Sequence, residues 1–90
     1  MPWFRKKPIV VEAVQYLNDD TSLEAIYAMG CNKLRFAGDG TPDLMIPTLE
    51  GDHRAPPRWW IVRGIKGEFY PVEPNIFDAT YTEVGAPNGK

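Results

Sequence analysis

The chain has one cysteine and one histidine in 90 residues. A single thiol excludes an intramolecular disulfide, so stability has to come from packing or from association. One Cys and one His are also too few for the four N or S ligands of a zinc site. No run approaches the roughly 20 apolar residues needed to span a bilayer. Arg5-Lys6-Lys7 opens as a signal peptide does, but Pro8–Val14 is short, carries Glu12 and is followed by no small-residue cleavage site. The expectation is a mature cytoplasmic protein without membrane contact, a reducing compartment being the natural one for so little cysteine. Neither sign of charge is in large excess. Ten Lys and Arg face twelve Asp and Glu for a net charge of −2, which gives no overall drive toward nucleic acid or anionic lipid.

What is present is apolar and aromatic. Hydrophobic residues make up 43%, with three Trp, four Tyr and four Phe, which suffices for one compact core. Nine prolines and eight glycines cut the chain into short elements. We read a single domain over 1–84 and a flexible tail over 85–90.

Pro8–Leu17 is β-branched and apolar on both alternating faces, which predicts a central strand covered on each side. Thr21-Ser22-Leu23-Glu24 fits a capping box with Thr21 as N-cap. Leu23, Ile26 and Tyr27 then form an apolar stripe and Gly30 supplies a left-handed stop, so a helix over about 21–29 is expected. Lys33–Ala37 and Leu44–Leu49 read as strands, with Pro47 marking an edge or bulge. Glu50-Gly51-Asp52 reads as a tight turn, and Arg54–Arg58 as a rigid extended connector. Trp59–Val72 reads as a hairpin around Gly64-Ile65-Lys66-Gly67. A short helical turn at Asn75–Thr80, capped by Asn75, and a last strand at Tyr81–Val84 complete the chain. This order predicts an α+β fold: a mainly antiparallel, curved sheet of five to six short strands with one amphipathic helix.

Three blocks, Phe4–Ala13, Ile46–Gly51 and Gly64–Tyr81, resemble in order three blocks of small phage and prophage proteins of the PGDYG-domain type, a family of unassigned activity. They cover about half the chain. The resemblance implies a bacteriophage origin and action in the host cytoplasm. Where that family has Pro-Gly-Asp followed by Trp or Tyr, this chain has Pro57-Arg58-Trp59-Trp60, so the turn glycine and its carboxylate are replaced. The backbone must pass this point without the residue that most readily takes positive φ.

No motif carries a reaction. Cys31 and His53 could form a nucleophilic pair, but neither has a local signature and Cys31 follows a helix C-terminus, where a thiolate is disfavoured. Asp39, Asp43, Glu50 and Asp52 flank turns without the spacing of a calcium loop. Glu12, inside an apolar strand, reads first as the partner of an Arg or Lys, with a catalytic or ligand role as the alternative. No cofactor and no metal are expected.

The remaining surplus is basic and aromatic. Arg58, Trp59, Trp60, Arg63, Lys66 and Tyr70 are the expected partner-binding residues, because alternation places Trp59 and Trp60 on opposite faces and only one can meet a one-sided core. The competing reading covers the second face with Phe77–Tyr81. The function expected is non-catalytic binding, either self-association as a homo-oligomer or contact with a host protein. Nucleic-acid or nucleotide binding through Arg54, Arg58, Arg63 and Lys66 is the alternative.

Overall fold

A computed structural model describes residues 2–5 and 7–85. The fold is α+β, with six strands in two antiparallel three-stranded sheets and two helices. In chain order the elements are β1 (Glu12–Gln15), α1 (Asp20–Ala28), β2 (Arg35–Phe36), β3 (Leu44–Thr48), β4 (Gly51–Ala55), β5 (Trp60–Arg63), β6 (Phe69–Val72) and α2 (Pro74–Thr80). One sheet has the order β1-β5-β6 and the other β2-β3-β4. β3 and β4 pack against β6, so the two sheets share one core. Tyr16, Ile26, Leu44, Ile46 and Ile61 are fully buried there, with Met29, Cys31, Leu34 and Ala55 around them.

β1 is shorter than the apolar run predicts, and it lies at a sheet edge rather than in the centre. Its partner sets both facts. β5 ends at Arg63, opposite Glu12, where the hairpin turns away, so residues 8–11 have no strand to pair with. At the other end the chain stays docked beyond the strand: the Tyr16 N–H donates to Trp59 O (2.9 Å) and the Arg58 N–H to Tyr16 O (2.6 Å).

α1 starts earlier than the capping-box reading has it. Asp19, not Thr21, is the N-cap, its carboxylate accepting from the Ser22 N–H at 2.8 Å. The Ser22 hydroxyl reaches back to Asp19 O and accepts from the Leu17 N–H, so Ser22 is buried with its polar atoms satisfied. Ser22 beside the carboxylate lowers the Asp19 pKa, its hydroxyl contributing most and its N–H next. The buried stripe is Ser22, Ile26 and Met29, while Tyr27 faces outward. The stop is as expected. Gly30 at φ 113 lets its own N–H reach Tyr27 O and the Cys31 N–H reach Ile26 O, which closes the helix end.

Gly51–Ala55 is a strand where a turn and a connector are expected. Asp52, His53 and Arg54 are all polar and exposed, and Asp is depleted in strands, so their alternation carries no signal. β3 imposes the conformation, pairing Leu44 with Ala55 and Thr48 with Gly51. Pro47 lies in the central strand of its sheet and in unbroken register with β4, so it marks neither an edge strand nor a bulge. β2 covers only Leu44 and Met45, so β3 is open on that side at Pro47.

The β5–β6 hairpin forms as read, closed by Gly64 N–H to Glu68 O at 2.7 Å with Gly67 at φ 79. α2 is capped differently. Pro74 occupies its first turn, Glu73 precedes it without a side-chain bond, and Asn75 lies inside the helix. Tyr81–Val84 is not a strand, because Tyr81 closes α2 through its N–H to Phe77 O and no strand lies beside it. Of the expected tail 85–90, all but Gly85 lies outside the described residues.

Candidate functional site

β5 is buried on both faces, and this decides where the hairpin aromatics go. Trp59 and Ile61 face the shared core, Trp59 half-buried at its margin. Trp60 and Val62 face the opposite side, together with their cross-strand partners Val72 and Tyr70. α2 lies over that second side. The Trp60 and Phe77 rings stack with centroids 4.1 Å apart and planes within 4°, and Tyr81 stacks on Phe77 at 4.7 Å. The Tyr70 and Tyr81 hydroxyls meet at 3.4 Å. Partial burial, then that hydrogen bond, pushes the Tyr70 pKa up to about 12.

The candidate partner-binding residues therefore do not form one patch. Trp59, Trp60 and Tyr70 are each half-buried in internal contacts. Arg63 sits opposite Glu12 and reaches its carboxylate at 3.5 Å, a long, exposed pair of small energetic weight. Arg58 and Lys66 are exposed and make no ion pair among the described residues, but they stand at opposite ends of β5. Arg54 is engaged as well, bridging Asp39 (2.9 Å) and Asp43 (2.7 Å).

Arg58 is unusual in its backbone. It takes φ 81 in a turn closed by Trp59 N–H to Pro56 O at 3.2 Å, with Pro57 at the corner before it. That is the position where a glycine is favoured, at i+2 of a turn with Pro at i+1. The conformation is held from outside, by the Arg58 N–H on Tyr16 O and by the Gln15 side-chain amide donating to Arg58 O at 2.9 Å.

Other candidates resolve into structural roles. Cys31 is buried at the end of α1, and burial raises its thiol pKa. His53 is exposed on β4 opposite Ile46. Asp39 and Asp43 are held by Arg54 and Asp52 by Arg35 at 2.7 Å. Glu12 is exposed, and its partner is Arg63. Among the described residues no group of three or more His, Cys, Asp or Glu is placed to hold a metal ion. No helix among them is long and apolar enough to cross a membrane.

A concave feature lies beside the aromatic stack. It is an open groove of about 920 Å³, lined by Pro8–Ala13 on the strand side and by Phe77 with Thr80–Gly85 on the helix side. Trp60 and Arg63 of β5, and Gly64, Ile65 and Gly67 of the hairpin turn, complete it. Its charged lining groups are Glu12, Arg63 and Glu83, and the first two pair with each other. Of the expected partner-binding residues only Trp60 and Arg63 line this face, and sequence reasoning did not join them to Pro8–Ala13 or to the end of α2. The visible signal was the apolar run from Pro8 to Val11, too long for the strand it feeds. No protein-family model, curated protein or solved structure matches the chain.

Proposed function

We propose that this chain is a small phage-encoded protein that works by binding another protein surface rather than by chemistry. The observation that carries this reading is the apolar groove between the β1 side and α2. Aromatic rings and aliphatic side chains line it, and few polar groups converge there. Such a face suits a peptide segment or a protein edge, whereas a reaction needs a base, nucleophile or oxyanion site within reach of one point. The phage origin rests on the sequence blocks that resemble PGDYG-type proteins. The host cytoplasm follows from that origin as the place of action.

Nucleic-acid binding through the hairpin is the weaker reading. Two of its four cations, Arg54 and Arg63, are engaged with carboxylates, and the other two lie at opposite ends of β5. The test combines light scattering on the purified chain with affinity capture, each run on the wild type and on Val84→Asp, which places a charge in the groove. Loss of a protein contact in the variant at unchanged thermal stability supports the reading. Contacts indifferent to Val84→Asp, or salt-sensitive retention of an oligonucleotide, would overturn it.

A further inference from the structure

We infer that the occupant of the groove is the N-terminal arm of a second copy of this chain, in a symmetric, arm-exchanged dimer. This rests on the proposed protein-binding groove and names what fills it. The arm precedes Pro8 and carries Trp3 and Phe4, which are 95% and 91% exposed, the highest values among the large hydrophobic residues described. Two adjacent aromatics left almost wholly in water form an anchor without a pocket. The groove offers the matching surface, with the edge of the Trp60–Phe77–Tyr81 stack on one side and Ile9 and Val84 at its margins, both about half exposed or more.

Charge points the same way. The first ten residues carry three cations, Arg5, Lys6 and Lys7, and no acid. The other eighty hold all twelve acids against the remaining seven of the ten cations. A basic arm beside an acidic body is complementary between copies. Glu83 in the groove is exposed and has no ion-pair partner among the described residues, so it can receive Arg5 or Lys7.

The arm's own groove is a poor alternative. Pro8–Val11 already form part of its lining, so the preceding residues would have to reverse direction at Lys7. A residue before proline is held extended, which disfavours that reversal. A neighbour related by a two-fold axis needs no reversal and receives an arm in return. The area is adequate. Each aromatic buries about 150–250 Å², so four of them with the groove surface they cover reach roughly the 1,200–2,000 Å² of a specific interface.

Light scattering of the full chain across a dilution series tests this, with an expected mass of twice 10.2 kDa at high concentration. Trp3→Ser with Phe4→Ser should raise the dimer Kd by more than about thirty-fold. Its melting curve, read at a concentration where both proteins are monomeric, should not move, because the arm lies outside the core. Arg5→Glu with Lys7→Glu should weaken the dimer, as should Glu83→Lys in a separate chain. Mixing these two should restore association as a heterodimer, since the acidic arm meets the basic groove and the basic arm the acidic one. A wild type that stays monomeric overturns the inference. So does a dimer indifferent to the arm substitutions, or a charge-reversed pair that fails to associate. A monomer that still captures a protein in a Val84→Asp-sensitive manner rejects arm exchange alone. A monomer with no such capture rejects the groove as a protein site too.

Discussion

The two sheets of this protein are built from the same number of antiparallel strands, yet they meet water in opposite ways. The β2-β3-β4 sheet is one-sided. Leu44, Ile46 and Ala55 enter the core, while Arg35, Met45 and Arg54 stand side by side on the outer face, with the two arginines paired to Asp52, Asp39 and Asp43. The β1-β5-β6 sheet is two-sided. Ile61 is buried in the shared core and Val62, its neighbour, is buried on the face beneath α2. Ion pairs at this exposure contribute little, whereas a fully buried aliphatic side chain contributes about 1.5–3 kcal/mol. β5 is therefore the strand with fully buried side chains on both faces, and the surface left over for binding lies next to it.

Breaking the two-sided sheet should give the largest effect. Ile61→Ala removes a fully buried side chain, with an expected loss of about 2–5 kcal/mol in denaturant unfolding. A result below 1 kcal/mol would mean that β5 is not the keystone of the comparison. Next is Phe77→Leu, which keeps an apolar side chain over Trp60 but removes both ring stacks. At about 0.5–1.5 kcal/mol per stack the expected loss is about 1–3 kcal/mol, with a change in Trp near-ultraviolet circular dichroism. An unchanged dichroism spectrum would argue against the stack in solution.

Arg58→Gly should move the other way. Left-handed backbone costs a non-glycine residue about 1–2 kcal/mol, and the added freedom of glycine in the unfolded chain offsets part of the relief. A net gain of about 0.5–1 kcal/mol is expected, seen as a rise of a few degrees in Tm. A loss would show that the guanidinium makes a contact worth more than the strain.

The smallest effects are in pH, and they separate the sheets by sign. Beside the one-sided sheet, bonds from the Thr41 hydroxyl and N–H, followed by Arg54, hold Asp39 down to about 2. A depressed carboxyl contributes above its unfolded pKa of 3.8 and loses that contribution as pH falls toward 2. Asp39→Asn should flatten that acid limb of a Tm-versus-pH curve. In the two-sided sheet Tyr70 is raised from 10.0 to about 12, so its contribution is complete below pH 10 and lost as pH rises through 12. Tyr70→Phe should flatten the alkaline limb and leave the acid limb alone. If both substitutions acted on the same limb, the contrast between the sheets would fail.

Legibility in the sequence followed the same division. The hairpin from Trp59 to Val72 was readable because its glycines and its β-rich runs agree. Gly30 was readable as a helix stop for the same reason. The N-cap was misplaced because Asp19 and Thr21 are both good caps, and Ser22 decides between them only through bonds to Asp19 and Leu17. β4 was invisible because an outer strand with a solvated face can be built from residues of any propensity. The groove was least legible of all, since its two sides are nearly seventy positions apart in the chain.

By itself the sequence determined an α+β chain of short antiparallel strands, its hairpin, its first helix and the absence of a recognisable catalytic motif. Those features follow from local chemistry: glycine at positive φ, side-chain periodicity, and too few Cys and His residues for a zinc site or a disulfide. Only the tertiary structure decided which face each tryptophan serves, that β1 ends where β5 turns away, and that Arg58 occupies a glycine's conformation. The physical reason is that pairing and burial are set by the partner across the sheet, and a residue's own identity does not name that partner.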